Sequence, residues 1–482
     1  MSASAKGPVV GSVALPGAVA VSPRKILAPL ALAQFICSFA GSNMNVMIND
    51  ISADLNTTVK GVQTTITLFL LVMAVLMIPC SKLTDRWGRK RCFLGGLILY
   101  GIGALLSAIA PGLGVLIVGN AFLEGVGTAF LIPPVYILTT LAFRDTASRA
   151  KAFGAISGLG GIGAAAGPLI GGLIASAIDW RAAFVFQALV VAVIVLLSRD
   201  LHDPLPADPE RPFDAVGAAL SAAGMLCLVL GILQADVDLA LMLALVAVGA
   251  VLLGLFFGHV RRTERAGREP LLSTGLFRNR VSNLGLATQN LQWLLLMGVS
   301  FVVAVFLQTV RGFDPVQTGV VFTAATAGIL ASSLGAERFA QRRAQKTLVM
   351  TGFAITTVGI GLLLALVGAS SRVVAFGPGL LLIGIGLGGM LTPSVNVVQS
   401  AFPEALQGEI SGLSRSVSNL GSSFGTAIAG TILVSDLGTG NDAYVVAMVV
   451  LAMVGLAGLV VATRLPGGKP GAVAAVAACE AP

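Results

Sequence analysis

Charge is what this sequence has least of. Only 11% of its 482 residues are Asp, Glu, Lys or Arg, against roughly a quarter in a soluble globular domain. A full 56% are hydrophobic, with a mean hydropathy of +0.93, which excludes an ordinary water-soluble fold. Histidine is nearly absent: His202 and His259 are the only two, both outside the apolar runs, without metal-ligand spacing or a nucleophile motif nearby, which argues against a membrane enzyme. The five cysteines, Cys37, Cys80, Cys92, Cys227 and Cys479, have no paired spacing, so neither a disulfide framework nor a metal site is indicated. No G-x-x-x-x-G-K-[ST] run occurs, so nothing points to a nucleotide as energy source.

What the chain does have is long apolar runs. A membrane-spanning helix needs about 20 mostly apolar residues, and charged or Pro/Gly-rich breaks leave fourteen such segments, near 26–48, 62–80, 92–110, 114–137, 152–175, 182–198, 214–233, 239–258, 284–308, 316–335, 347–367, 373–395, 411–433 and 443–463. The predicted fold class is all-α integral membrane. Lys and Arg set the orientation: with the N-terminus inside, 25 of the 30 fall on the cytoplasmic side, only Lys60, Arg181, Arg311 and Arg372 fall outside, and Arg415 lies within a span. This predicts an even number of spans, both termini cytoplasmic, in a prokaryotic cytoplasmic (inner) membrane. The net charge of +8 sits in short loops beside spans, where anionic headgroups account for it without nucleic acid. Residues 1–25 are small and polar, and no cleavage pattern follows the first apolar run. They are expected to form a retained, disordered cytoplasmic tail.

The loop 81–91, SKLTDRWGRKR, is weakly echoed by 337–347, ERFAQRRAQKT, which sets Arg86 and Lys90 opposite Arg342 and Lys346, and Asp85 opposite Gln341. The echo suggests a duplicated half: a six-helix bundle over 26–198 and a second over 284–463. Segment 199–283 between them carries two extra spans, about 214–233 and 239–258, and a basic cytoplasmic loop that either lies on the inner surface or is simply solvated. Residues 464–482 form a cytoplasmic tail. Parallel repeats of this kind place a substrate cavity between the halves, near the bilayer midplane.

SKLTDRWGRKR resembles the loop signature G-x-L-x-D-R-x-G-R-[KR] of the major facilitator superfamily. It matches at Leu83, Asp85, Arg86, Gly88, Arg89 and Lys90, with Ser81 in place of the first glycine. An aspartate near a helix N-terminus interacts with its positive end, and its pairing with arginine can be made and broken as the halves rock. The resemblance implies a conformational latch at Asp85, Arg86, Gly88, Arg89 and Lys90; the alternative is a cluster that only sets topology. In the fifth span, GAISGLGGIGAAAGPLIGG places Gly154, Gly163, Gly167, Pro168, Gly171 and Gly172 in the order G-x8-G-x3-G-P-x2-G-G, similar to the antiporter signature of proton-coupled exporters in that superfamily. Glycines let helices approach closely, and a membrane proline is tolerated where neighbours satisfy the freed carbonyl. The helix is therefore expected to bend and to slide against a partner in the other half. DWRAAF at 179–184, FDAVGAAL at 213–220 and FLQTVRGFDPVQTGV at 306–320 extend the resemblance to the fourteen-span drug:proton antiporters, over about residues 28 to 463.

The departures bear on mechanism. The first span of that family carries an aspartate ahead of T-x-V-N-V-A-L-P; here FAGSNMNVMIND puts Ala40 at the acid, keeps Asn45 and Val46, and has Asn49 where proline is common. Its fourth span carries R-x-x-Q-G; here AFLEG puts Ala121 at the arginine and Glu124 at the glutamine. Glu124 is the one acid in the middle of a span, where a carboxylate is costly and functional by default, so it is the proton-coupling candidate. A structural glutamate bonded to a neighbouring helix is the alternative. Asn45 and Asn49, four residues apart, are expected to share a helix face and, with Asn43, to line the substrate cavity, with Asp50 at its outer mouth. Gln289, Asn290, Gln292, Trp293, Asn396 and Gln399 are similar candidates, each as able to bond a neighbouring helix as a substrate. Arg415 is expected to face a water-filled vestibule or to snorkel inward.

Together these features imply a secondary transporter rather than an enzyme. It exports an organic, amphiphilic or hydrophobic compound by alternating access in antiport with protons, in the manner of multidrug efflux. No cofactor is implied, the proton gradient being the energy source. The implied partners are a small-molecule or lipid-like substrate and the surrounding lipids, with no nucleic acid, and the chain is expected to be a monomer. Two readings on the same scaffold stay open: a lipid or lipid-precursor transporter (flippase), which loss of the first-span acid leaves in play, and an uncoupled facilitator, if Glu124 is structural.

Overall fold

The computed structural model describes residues 23–143, 146–203, 206–234, 237–340, 344–369, 373–402, 406–434 and 441–467. Most of the two expected tails, together with Gln341, Arg342, Arg343 and Arg372, lies outside the described residues. Within them every regular element is helical: α1 Pro23–Asn43, α2 Ile48–Asp54, α3 Val59–Trp87, α4 Arg89–Ala108, α5 Leu113–Leu116, a π-helical stretch Ile117–Glu124, α6 Gly125–Ala142, α7 Thr146–Ala177, α8 Trp180–Leu197, α9 Ala215–Leu233, α10 Leu239–Arg265, α11 Arg280–Val305 with a π-helical end Phe306–Val310, α12 Pro315–Ala340, α13 Gln345–Ala369, α14 Phe376–Gln399, α15 Gln407–Val434 and α16 Asn441–Thr463.

The apolar runs form these helices because lipid offers no partner to a free backbone amide. Where the chain passes from loop to span, polar caps take over: Thr58, Asp179, Asp214, Asp238 and Asn279 accept from first-turn N–H groups of α3, α8, α9, α10 and α11. Among the described residues twelve helices are long and apolar enough to cross a membrane, and α7, bent by 44° between Ala164 and Ala166, makes thirteen when counted as one span. The segment expected at 411–433 falls in α15, a helix of 28 residues that stands outside this set. Its serines, Glu409 and Arg415 lower its hydropathy, and it packs against α3 and α11.

Helices α1 to α8 pack around one another, as do α11 to α16, and the two groups meet chiefly along α3 against α15 and α7 against α12. The inserted α9 and α10 pair with each other, and α9 leans on both α3 and α15 across the seam. Of the candidate spans α10 is the least buried, leaving most of its apolar surface to lipid. For orientation, the end of the bundle that carries loop 81–91 and segment 261–280 is called the basic end.

Candidate functional site

Two adjoining cavities of about 40 Å3 each lie on the seam between the halves. One wall comes from Gln34, Cys37 and Ser38 of α1, Met73 of α3 and Gly160, Gly161 and Ala164 of α7; the other from Trp293 and Met297 of α11, Ile329 of α12, Leu391 of α14 and Arg415, Asn419 and Ser422 of α15. A smaller pocket lined by Met77, Ser81, Tyr136, Gly412 and Arg415 continues from them. A polar chain crosses the seam here. The Arg415 guanidinium donates to the Tyr136 hydroxyl and lies 4.7 Å from the centre of its ring; Tyr136 donates to Gln34 Oε1 at 3.1 Å, and Gln34 Nε2 donates to Ser38 at 3.2 Å. Apolar walls with a few convergent polar groups suit an amphiphile.

At the basic end the halves are tied by charge. Asp85, in the last turn of α3, accepts from Arg89 Nη2 at 2.6 Å and from Arg211 Nη1 at 2.8 Å. Arg211 also donates to Glu269 at 2.7 Å; Lys82 then bridges Glu269 at 3.3 Å and Glu409 of α15 at 2.6 Å. Six side chains of alternating sign thus run from the first half, through both loops that flank the inserted helices, into the second half. The Arg211 hydrogen bond, aided by Lys82, holds the Glu269 carboxyl below its ordinary range, and Glu269 in turn raises the Arg211 guanidinium.

The opposite end is closed without ion pairs between the halves among the described residues. Gln308 of the second half donates to the Asn45 carbonyl at 2.8 Å and accepts from the Asn49 N–H at 3.3 Å. Gln63 of α3 donates to the Thr426 carbonyl of α15 at 3.3 Å. Backbone meets backbone nearby: a Cβ on Gly172 of α7 would collide with the Pro315 carbonyl, and one on Gly319 of α12 would stand 2.8 Å from the Pro168 carbonyl.

The chain that folds into this arrangement has counterparts among known proteins. The family model of the Major Facilitator Superfamily matches residues 30–426 and, in a second alignment, 297–478. The chain belongs to the Major Facilitator Superfamily. It is 31% identical over 367 residues to the multidrug efflux pump LfrA of Mycolicibacterium smegmatis, covering 76% of this chain and 71% of that one. Its identity to the puromycin resistance protein pur8 of Streptomyces alboniger is 28% over 405 residues, covering 83% of this chain and 80% of that one. Among solved structures, the crystal structure of a POT family transporter superposes with a TM-score of 0.67 at 17% identity, over 91% of this chain and 96% of that one, a likeness of fold alone.

Within this major facilitator fold the latch residues are placed unequally. Asp85 sits at the C-terminal end of α3, not at a helix N-terminus. The start of α4 is met instead by Asp203, whose Oδ2 accepts from the Arg89 N–H at 2.7 Å and the Lys90 N–H at 3.4 Å. Gly88 joins the two helices at φ +94°, a conformation costly for a side chain. Lys90 donates to the Arg199 carbonyl at 3.0 Å, whereas Arg86 makes no ion pair among the described residues. In the fifth-span signature, Gly163, Gly167 and Gly171 press on Phe35, Ser42 and Asn43 of the first span in the same half; Gly172 and Pro168 meet the other half, and a Cβ on Gly154 would meet open space among the described residues. Pro168 lacks the N–H that would bond the Ala164 carbonyl, which accounts for the bend there.

Glu124 ends the π-helical stretch, fully buried inside the first bundle and outside the lining of the cavities. Asn120 donates to its Oε2 at 3.3 Å, Tyr100 and Ser107 of α4 stand beside it, and Oε1 has no geometrically sound hydrogen-bond partner among the described residues. The wide π turn and the approach of α4, where a Cβ on Gly103 would lie 2.6 Å from the Gly119 carbonyl, make room for this inward carboxyl. Glu124 therefore does not face the seam cavity. Its link to the cavity is indirect: Tyr100 bonds Gln187 and the Ile36 carbonyl of α1, next to Cys37.

Of the proposed cavity residues, Trp293 and Arg415 line it. Asn45 and Asn49 share no α-helical face, because α1 stops at Asn43 and a 3-10 turn over Met44–Val46 precedes α2; both belong to the closure opposite the basic end. Asn43 is buried there, and neither of its side-chain polar atoms has a partner among the described residues. Gln289, Asn290 and Gln292 bond Ser414, the Val417 carbonyl and Ser394 within the second half. Asn396 is exposed and, like Gln399, lies outside the cavity lining. Sequence reasoning missed Gln34, Ser38, Tyr136, Asn419 and Ser422. A signal existed in α15, where Arg415, Asn419 and Ser422 recur at the three- and four-residue spacing of one helix face.

Proposed function

We propose that the chain is a fourteen-span exporter of organic amphiphiles that works by alternating access in antiport with protons, with the basic end and both termini facing the cytoplasm. The observation that carries this reading is a small cavity on the seam with a separable closure on each side. Opening the ionic closure admits substrate from the cytoplasm; re-forming it and parting the glycine and glutamine contacts opposite releases substrate outward. The curated relatives named as a drug efflux pump and a resistance protein support the direction and the substrate breadth.

Glu124 is the proposed proton site. A carboxyl enclosed in one bundle changes its hydrogen-bond pattern with protonation, and through Tyr100 that change reaches α1 at Ile36, beside the cavity wall. The test is uptake of cationic, neutral and anionic amphiphilic dyes into inside-out vesicles, with a proton gradient imposed and then collapsed. Gradient-driven uptake in the wild type, lost in Glu124→Gln, is expected. Wild-type uptake indifferent to the gradient would make the chain an uncoupled facilitator. Movement of labelled lipid without any dye uptake would replace the drug reading by the lipid one.

A further inference from the structure

We infer that the central cavity takes its substrate by an anionic group, a carboxylate or phosphate, held by the Arg415 guanidinium. This rests on the transporter reading and specifies the substrate class. Arg415 is the one formal charge on the cavity wall, and no Asp or Glu lines the cavity among the described residues. Its single hydrogen bond goes to the Tyr136 hydroxyl, and no carboxylate lies within ion-pair reach among the described residues. By contrast, Lys82, Arg89 and Arg211 at the basic end each pair with carboxylates.

An arginine carries five N–H donors in a planar fork that matches a carboxylate or phosphate edge. Tyr136 takes one of them and covers one face of the fork, and the side chain borders all three pockets. Charge inside a bilayer is expensive and is ordinarily paired or functional. A guanidinium whose counter-charge is absent from the wall is complete only when the occupant supplies it. The surroundings fit the rest of such a molecule: Trp293 and Met297 offer an apolar, polarisable surface to a ring system, and Asn419 and Ser422 offer neutral hydrogen bonds one and two turns along α15. The same wall disfavours an organic cation, which would meet Arg415 with no acid to offset it.

The test is equilibrium binding to the full chain in detergent, read as energy transfer from Trp293 in a Trp87→Phe/Trp180→Phe background. Three probes share one ring and differ in charge: 9-anthracenecarboxylate, 9-anthracenemethanol and 9-(aminomethyl)anthracene. The carboxylate is expected to bind about tenfold or more tighter than the other two. Arg415→Gln is expected to erase that preference while the alcohol still binds, and Arg415→Lys to keep the order. Displacement of the carboxylate by dioctanoyl phosphatidate would assign the anion to lipid headgroups, and no displacement would assign it to free organic acids; both support the site. Equal binding of the three probes, preference for the amine, or a preference that survives Arg415→Gln would overturn it, leaving Arg415 a packing partner of Tyr136. Because binding needs no gradient, an intact anion preference with no vesicle uptake would sink the exporter reading alone.

Discussion

The two closures around the cavity differ in kind. At the basic end, six side chains of alternating charge join α3, two loops and α15; at the opposite end, amide side chains reach backbone carbonyls and glycines let helices touch. Ionic contacts act over several ångströms, weaken with salt and can be exchanged one partner at a time. Glycine contacts act only at van der Waals distance, carry no charge and depend on backbone fit. The first closure can be tuned by the loops that enter it, and the second only by how far the helices slide. The inserted helices therefore have a structural consequence: Arg211 and Glu269, from the loops on either side of them, supply two of the six side chains.

The largest effect should come from the side with no slack. Gly172→Val would drive a side chain into the Pro315 carbonyl, an overpacking that costs about 1–3 kcal/mol. Vesicle transport should fall about tenfold to a hundredfold, with the opposite end held open to a thiol reagent. Normal transport would mean that this contact forms no part of the closure. A smaller loss, about tenfold, is expected for Asp85→Asn, which leaves Arg89 and Arg211 without the carboxylate between them. Raising salt should mimic it in the wild type and should not restore transport to Gly172→Val. Arg86→Gln should change transport less than about twofold, because Arg86 makes no ion pair among the described residues. An effect as large as that of Asp85→Asn would show that Arg86 engages in another state of the cycle.

Proton concentration sharpens the contrast further. The Glu269 carboxyl is depressed by Arg211 and Lys82, so its contribution to the ionic closure is fully present above the ordinary glutamate value of about 4.3 and is lost as pH falls through its lower, native value. Between pH 5 and 8 Glu269 therefore keeps its charge in the ionic closure. Thermal melts should show stability lost on acidification below about pH 4, with a shallower loss in Glu269→Gln. Glu269 thus does not account for a pH dependence of transport near neutrality, for which Glu124 is the proposed site.

Much of this was legible in the sequence, for reasons that are physical. Apolar runs must be helical in lipid, so the expected segments fall mainly in helices, the first of them broken at Asn43; the loop signature and the spaced glycines mark contacts fixed by backbone geometry, at Gly88, Gly167 and Gly172. What a linear chain hides is which face of a helix meets which neighbour. Glu124 and Gln289 are polar residues in apolar runs, as Arg415 is, yet only Arg415 reaches the cavity. Asn45 and Asn49 illustrate a second limit: four residues make one face only while the helix continues, and nothing as strong as a proline marks its break at Asn43.

The central claim is that the two closures open in alternation around one cavity. The most direct measurement is pulsed electron–electron distance spectroscopy on cysteine-free protein in nanodiscs, with one spin-label pair at Trp87 and Thr347 and another at Ala53 and Gln317, recorded across pH and with bound probe. Conditions that lengthen the first distance should leave the second short, and the reverse. Two distances that lengthen together, or that both stay fixed in protein that transports, would contradict the account.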